Sequence, residues 1–257
     1  MRIITINVNG IRSARKKGFF DWILSQNADF ICIQETRAQI SQLDDIFFPD
    51  NFHCFYNDSE KKGYSGTAIF CKNEPSETIF KVGWDPCDSQ ARLTQVNFKN
   101  LIVISMYVPS GSSSDEALKN KLFFHKKIFP YFKELLIQNK EIVICADWNT
   151  CHKEIDLKNW KANQKNSGFL PVERAWLDSL YKDLGLIDGF RLLNDKHDQY
   201  TWWSNRGNAY LNNVGWRLDY HVISPGLKKY AKNVHIYKDE RFSDHAPVIM
   251  DFDFHVK

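Results

Sequence analysis

Apolar residues along this chain alternate with polar ones or gather in short runs, and most of these runs have the length of a β-strand. The pattern predicts strands over 2–8, 29–34, 52–56, 66–71, 77–82, 92–98, 101–107, 142–147, 217–223, 233–238 and 247–254. Helical spacing is rarer. It predicts a helix over 19–26, where Phe20, Ile23 and Leu24 share a face, a long one over 115–139 after Ser112-Ser113-Ser114, and one over 173–184 preceded by Pro171. Strand-helix-strand units at 2–34 and 101–147 suit parallel pairing, whereas the closely spaced strands of 52–107 and 217–254 suit antiparallel pairing. Two mixed sheets packed face to face, with helices outside, accommodate both, so the expected class is α/β (α+β). No repeat, low-complexity tract or linker divides the chain, and one domain over 1–257 is expected. The segment 149–174 lacks periodicity, and loops of that length in a compact fold are usually functional.

The same pattern shows where chemistry can sit. Asn7-Val8-Asn9-Gly10, Gln34-Glu35-Thr36 and Asp147-Trp148-Asn149 each end an apolar strand in acid or amide side chains. Gly215-Trp216-Arg217-Leu218-Asp219-Tyr220 and Phe242-Ser243-Asp244-His245-Ala246-Pro247 add two carboxylates, an imidazole and a tryptophan. Side chains at strand ends are held by the sheet yet open at its rim, so Glu35, Asp147, Asp219 and Asp244 are expected to converge on a cation without being buried. With Asn7, Asn149 and His245 they form an oxygen-rich set with no thiolate, which suits Mg²⁺ or Mn²⁺ and not structural zinc. The chain thus reads as a metal-dependent phosphodiester hydrolase.

Composition narrows this only slightly. Hydrophobic residues at 43% and charged ones at 25% of 257 residues are ordinary globular values and indicate neither a disordered nor a membrane class. The first strand follows Met1 with no secretory pattern, so a cytoplasmic location is expected. Six cysteines without a Cys-x-x-Cys pair predict reduced thiols. A net charge of +3 demonstrates no polyanionic partner, but its distribution is informative. Arg12, Arg15, Lys16 and Lys17 cluster after the first strand, and Lys153, Lys158, Lys161, Lys165 and Arg174 surround an asparagine-rich stretch. Two basic clusters flanking acid-tipped strands favour phosphate contact.

Nine motifs now make a resemblance specific: Asn7-Val8-Asn9-Gly10-Ile11-Arg12, Gln34-Glu35-Thr36, Gly63-Tyr64-Ser65-Gly66, Tyr107-Val108-Pro109, Asp147-Trp148-Asn149, Ile155-Asp156-Leu157-Lys158-Asn159, Gly168-Phe169, Gly215 to Tyr220, and Ser243-Asp244-His245. In this order the chain resembles the exonuclease III family of apurinic/apyrimidinic endonucleases, within the endonuclease/exonuclease/phosphatase superfamily. The resemblance implies a four-layer sandwich and a set of roles. Glu35 would be the principal Mg²⁺ ligand, with Asn7, Asn9 and Asp244 near the ion and Asp147, Asn149 and His245 able to approach a second position. Asp147 would activate the attacking water, Asn149 would steady it, Asp219 would fix the His245 tautomer and Tyr107 would contact the scissile phosphate. Trp202, Trp216 and Leu218 would enclose an extruded sugar, while Trp203 is expected to pack inward. Arg12, Lys17 and Tyr64 would hold DNA backbone on one flank, and Asn159, Lys161, Asn163 and Asn166 on the other.

The implied activity is Mg²⁺-dependent incision of duplex DNA 5′ to abasic sites, leaving a 3′-hydroxyl and a 5′-deoxyribose phosphate, with 3′-to-5′ exonuclease or 3′-phosphodiesterase activity as a companion; no large apolar stripe is left unassigned, so a monomer is expected. Alternatives are a superfamily phosphohydrolase for RNA, inositol phosphate or lipid, and a catalytically dead damage-binding module. Two departures from the family pattern stand out. Ser110-Gly111-Ser112-Ser113-Ser114 offers no arginine or asparagine for insertion into a groove, and Asn9 stands where other members carry Asp. Arg206 is a candidate minor-groove contact.

Overall fold

The computed structural model describes residues 1–257. Its strands are β1 (Arg2–Asn7), β2 (Phe30–Gln34), β3 (His53–Asn57), β4 (Thr67–Cys71), β5 (Glu77–Ile79), β6 (Leu93–Asn97), β7 (Leu101–Tyr107), β8 (Glu141–Asp147), β9 (Ile187–Asp188), β10 (Trp202–Trp203), β11 (Gly215–Trp216), β12 (Asp219–Ile223), β13 (Ala231–Ile236) and β14 (Val248–Phe252). Its helices are α1 (Ile11–Arg15), α2 (Phe19–Ser25), α3 (Asp115–Leu136), α4 (Trp160–Asn163), α5 (Pro171–Lys182) and α6 (Gly189–Leu193). One six-stranded sheet runs β13-β14-β1-β2-β4-β3 and the other β5-β6-β7-β8-β12-β9, with β10 and β11 forming a separate ribbon. Both strand-helix-strand units give the parallel pairs expected of them, β1 with β2 and β7 with β8. The remaining pairs are antiparallel, so both sheets are mixed, as the sequence predicts.

Period-two alternation accounts for the layering, because both faces of the central strands are buried. On β1, Ile3 faces the opposite sheet and joins a core of 23 buried residues, while Ile4 and Ile6 face outward into a second core of 19 that includes Phe19, Phe20, Trp22 and Ile23 of α2. On β8, Val143 and Cys145 face inward, whereas Ile142, Ile144 and Ala146 meet Phe124, Ile128 and Phe132 of α3 in a third core. Helix, sheet, sheet and helix therefore stack in four layers. Near one end of the sandwich the interior turns polar. Gln34 donates to Ser105 Oγ at 3.0 Å and Ser105 donates to the Ile33 carbonyl at 2.9 Å, which ties the sheets together.

The predicted elements differ from the observed ones mainly at their ends. The strand at 77–82 stops at Ile79 because the Asp88 carboxylate takes the N–H groups of Val82, Gly83 and Trp84 at 2.8, 2.9 and 3.1 Å. The strand at 217–223 begins only at Asp219, and Gly215–Trp216 just before the predicted start belongs to the ribbon. Helices α1 and α6 have five residues each, too few for a helical period to register. All six cysteines are unpaired thiols.

Candidate active site

Continuing the inward-facing positions of the central strands to one end gives Asn7 on β1, Gln34 on β2, Tyr107 on β7, Asp147 on β8 and Asp219 on β12. Alternation alone thus gathers the polar tips on facing surfaces. Asn7 Nδ2 stands between two carboxylates, donating to Glu35 Oε2 at 2.7 Å and to Asp147 Oδ2 at 2.8 Å. Asp147 and Asp219 lie directly opposite each other on paired antiparallel strands, a position where like charges repel. His245 relieves that repulsion. Its Nδ1 donates to Asp219 Oδ2 at 2.9 Å, and its Nε2 faces Asp147 Oδ2 at 4.0 Å. Contrary to expectation, these groups are not open at a rim: Asp147 is 1% exposed, Asp219 0%, and His245 and Glu35 7% each. The sandwich closes around them because the second sheet faces the first to its very end.

Burial and proximity displace the ionisations in opposite senses. Burial, assisted by Asp219, pushes the Asp147 carboxyl up to about 7, although His245 and the Asn7 amide pull the other way. Burial disfavours charge on His245 as well, but Asp219 and Asp147 outweigh it and raise the imidazole to about 10. Asp244 is held below the usual carboxylate range, since His245, Asn9, Trp202 and Ser243 overcome its burial. The Tyr107 hydroxyl is pushed far up by burial and by Glu35 and Asp147, so it remains a donor. Backbone conformation adds a second signature. Glu35, Asn149 and Asn9 adopt left-handed φ values of 59°, 49° and 45° directly beyond their strands. Asparagine tolerates this conformation, but for glutamate it is costly and points to function.

A cleft of about 750 Å³ opens over these groups. Asn7, Glu35, Tyr107, Asp147, Asn149, Asp244 and His245 line it, while Asp219 lies behind His245. Trp202, Trp216 and Leu218 form an apolar side wall, and Trp203 packs inward at 1% exposure. Gly168 explains how closely that wall is approached: a Cβ there would come within 3.1 Å of the Trp216 ring and 3.3 Å of the Asn149 carbonyl. Of the expected backbone-holding residues, Asn163 and Asn166 reach the cleft. Arg12 and Lys17 line neighbouring hollows. Tyr64 accepts a bond from Arg92 at 2.9 Å, Asn159 caps α4 and accepts from Asn163 at 2.8 Å, and Lys161 lies over the Trp160 ring.

Several residues that hold this site were not singled out from the sequence. Glu35 is ion-paired with Arg37. Lys121, 0% exposed, donates to the Asn149 carbonyl at 2.7 Å and to Glu173 at 2.6 Å, and Glu173 in turn accepts from Gly168 N at 2.7 Å and Ser167 Oγ at 2.8 Å. This buried pair fixes both the Asn149 turn and the loop behind Trp216. Its signal is legible in retrospect, because Lys121 falls on the buried stripe of α3 with Phe124, His125, Ile128, Phe132 and Leu135. Arg217 plays a similar part. It donates to Asp156 at 2.8 Å and Asp188 at 2.7 Å from a fully buried position and so anchors the turn between Trp216 and Asp219.

The donor set fits a divalent cation ligated by oxygen. Glu35 and Asp147 each present a carboxylate oxygen to the Asn7 amide, which gathers oxygen donors from three elements at one place. Asp147, Asp219 and His245 also offer ligand atoms within 4.8 Å of one another, and Asp219 Oδ1 is buried without a partner. This trio differs from the expected Glu35-centred set because Asp219 is drawn to the imidazole.

Residues 4–245 match the endonuclease/exonuclease/phosphatase family. An exodeoxyribonuclease of Bacillus subtilis is 38% identical over 96% of this chain and 98% of its own length. The DNA repair nuclease APEX1 of Danio rerio is 36% identical over 97% of this chain and 81% of its own. An AP endonuclease from Archaeoglobus fulgidus superposes with a TM-score of 0.89 at 25% identity, covering 99% of this chain and 100% of that one. A Neisseria 3′ phosphatase bound to a product DNA hairpin superposes equally well, at 25% identity and TM-score 0.89, over 99% and 100% of the two chains. This chain belongs to the endonuclease/exonuclease/phosphatase family, in the exonuclease III branch of apurinic/apyrimidinic endonucleases, and is a DNA-repair nuclease.

Proposed function

We propose that the protein hydrolyses the phosphodiester on the 5′ side of abasic sites in duplex DNA, leaving a 3′-hydroxyl and a 5′-deoxyribose phosphate. The observation that carries this reading is one cleft shared by the Asp147–His245–Asp219 cluster and the apolar wall of Trp202, Trp216 and Leu218. An abasic nucleotide has already lost stacking and pairing, so turning it out of the duplex costs less than turning out a normal one. The wall then takes up a sugar that carries no base.

Asp147, raised to about 7, is poised to take a proton from the attacking water near neutral pH, with Asn149 steadying that water. His245 stays protonated, its Nδ1 held by Asp219, and presents Nε2–H to the non-bridging oxygens. Tyr107 donates to the same phosphate. Glu35, Asn7 and Asp244 would hold Mg²⁺, for which Mn²⁺ can substitute, and the bound ion supplies charge neutralisation to the phosphate and leaving oxygen. A second reading, removal of 3′ blocking groups, draws on the small side chains of Ser110, Gly111, Ser112 and Ser113 along the cleft, which leave the path of a strand end open.

The test is a duplex with one abasic analogue, labelled at each end, incubated with Mg²⁺ or with EDTA beside an intact duplex. A Mg²⁺-dependent nick 5′ to the analogue is the expected result. Trimming from the 3′ end alone would move the assignment to the second reading. Folded protein that cuts no DNA would overturn both.

A further inference from the structure

We propose that Arg241 adds a second cation to the hollow next to the cleft, where Lys17 is already expected to meet DNA backbone, and so makes the hollow a binding site for a phosphodiester of the duplex; the assignment rests on the DNA substrate proposed above. The hollow, about 400 Å³, continues from the cleft through Asn9 and Asp244, which line both, and is walled by Ser13, Lys17, Asn205 and Arg241. Arg241 is held in place by neutral groups. Its Nε donates to the Ser243 carbonyl at 3.2 Å, one Nη lies 3.5 Å from Asn205 Oδ1, and the guanidinium sits 4.4 Å over the Tyr210 ring. Its charge is therefore not neutralised by a protein carboxylate. Among the basic residues after β1, Arg15 is engaged by Asp44 at 3.0 Å, Arg12 and Lys16 line a different hollow, and Lys17 lines this one.

Two cations, Lys17 and Arg241, face one acid on the wall, so the hollow keeps a net positive charge, and that acid's oxygens are engaged by neighbours. Asp244 Oδ1 accepts from Asn9 at 2.9 Å and Ser243 at 3.1 Å, and Oδ2 accepts from Trp202 at 3.0 Å. A guanidinium pre-set by stacking loses little freedom when it grips a phosphate, and with Lys17, Ser13 and the Asn205 amide it offers donors from three separate parts of the chain. Arg241 thereby ties the 204–213 loop, through Asn205 and Tyr210, to the ground next to His245.

Binding of an intact and an abasic duplex, measured between about 50 and 200 mM salt for the full chain and for Arg241→Gln, Arg241→Lys and Lys133→Gln, tests this. A lost phosphate contact flattens the plot of log affinity against log salt by about 0.9 and weakens binding roughly eightfold at 0.1 M. Arg241→Gln should do so equally for both duplexes, and Arg241→Lys should keep most of the slope. Lys133→Gln, far along α3 from the cleft, should match the parent. An Arg241→Gln slope equal to the parent's would overturn the site while leaving the nuclease reading intact. A parent chain that binds no DNA would overturn both.

Discussion

Two buried ionic clusters lie on the same stretch of chain, and their contrast separates architecture from chemistry. Arg217 is paired with Asp156 and Asp188, and Arg191 adds bonds to Asp156 at 2.8 and 3.0 Å. Two residues later, Asp219 opens a cluster of two aspartates and one histidine in which Asp219 Oδ1 has no partner. Both Asp156 and Asp147 are fully buried, yet they respond oppositely. Burial opposes charge on Asp156, but Arg217 and Arg191 outweigh it and hold the carboxyl down to about 2. At Asp147 burial and the facing Asp219 prevail, and the carboxyl rises to about 7. A satisfied cluster fixes geometry; a frustrated one keeps free energy available for a proton, a cation or a phosphate.

Substitution should separate the two. Asp147→Asn is expected to lower kcat by on the order of 10³-fold, because it removes the proton acceptor, while the urea midpoint holds or rises as a like-charge repulsion is relieved. Steady-state kinetics with urea unfolding would check this, and unimpaired turnover would refute the role of Asp147. Arg217→Met should show the reverse order of effects. Leaving Asp156 and Asp188 buried without their guanidinium costs about 3–5 kcal/mol of stability. Activity should then be lost through the folded fraction, and a variant as stable as the parent would erase the contrast.

The clusters also divide the pH axis in the metal-free protein. The folded Asp156 value lies below the unfolded one, so its contribution is present above about pH 4 and is lost as pH falls toward 2. The folded His245 value lies above the unfolded one, so its contribution is complete below about pH 6.5 and is lost as pH rises to about 10. Asp147 acts in the same sense between about pH 4 and 7. Urea midpoints in EDTA should therefore fall on both sides of a mildly acidic optimum. Asp147→Asn should remove the decline between pH 4 and 7 and leave the acid limb unchanged. An unaltered decline would mean that Asp147 does not carry the raised pKa.

How much of this was legible depended on period and sign. Strand alternation was readable, and with it the fact that Asn7, Asp147 and Asp219 continue the inward-facing rows of Ile3, Val143 and Ile223. Burial of those tips was not, since it depends on the second sheet facing the first to its end. Asp156 and Arg217 stood inside recognised motifs, but nothing local distinguishes a carboxylate that meets arginine across 61 positions from one that meets aspartate. Arg241 was invisible for a related reason: its partners, Asn205 and Tyr210, are brought to it by the ribbon that holds Trp202 against Trp216.

That ribbon supplies the smallest and most discriminating prediction. Trp216 precedes the braced Arg217 and packs against Gly168, so the satisfied cluster sets the wall, while under the proposed function the frustrated one would carry out the reaction. Trp216→Ala should leave Arg217 and its partners in place, and with them the urea midpoint to within about 1 kcal/mol, because Trp216 is only half-buried. It should reduce the preference for abasic over intact duplex on the order of tenfold, the scale of losing apolar complementarity in a pocket. Competition between the two duplexes, scored by kcat/KM, measures this directly. An unchanged preference with an unchanged midpoint would mean that the sugar is selected elsewhere in the cleft and that the brace serves the fold alone.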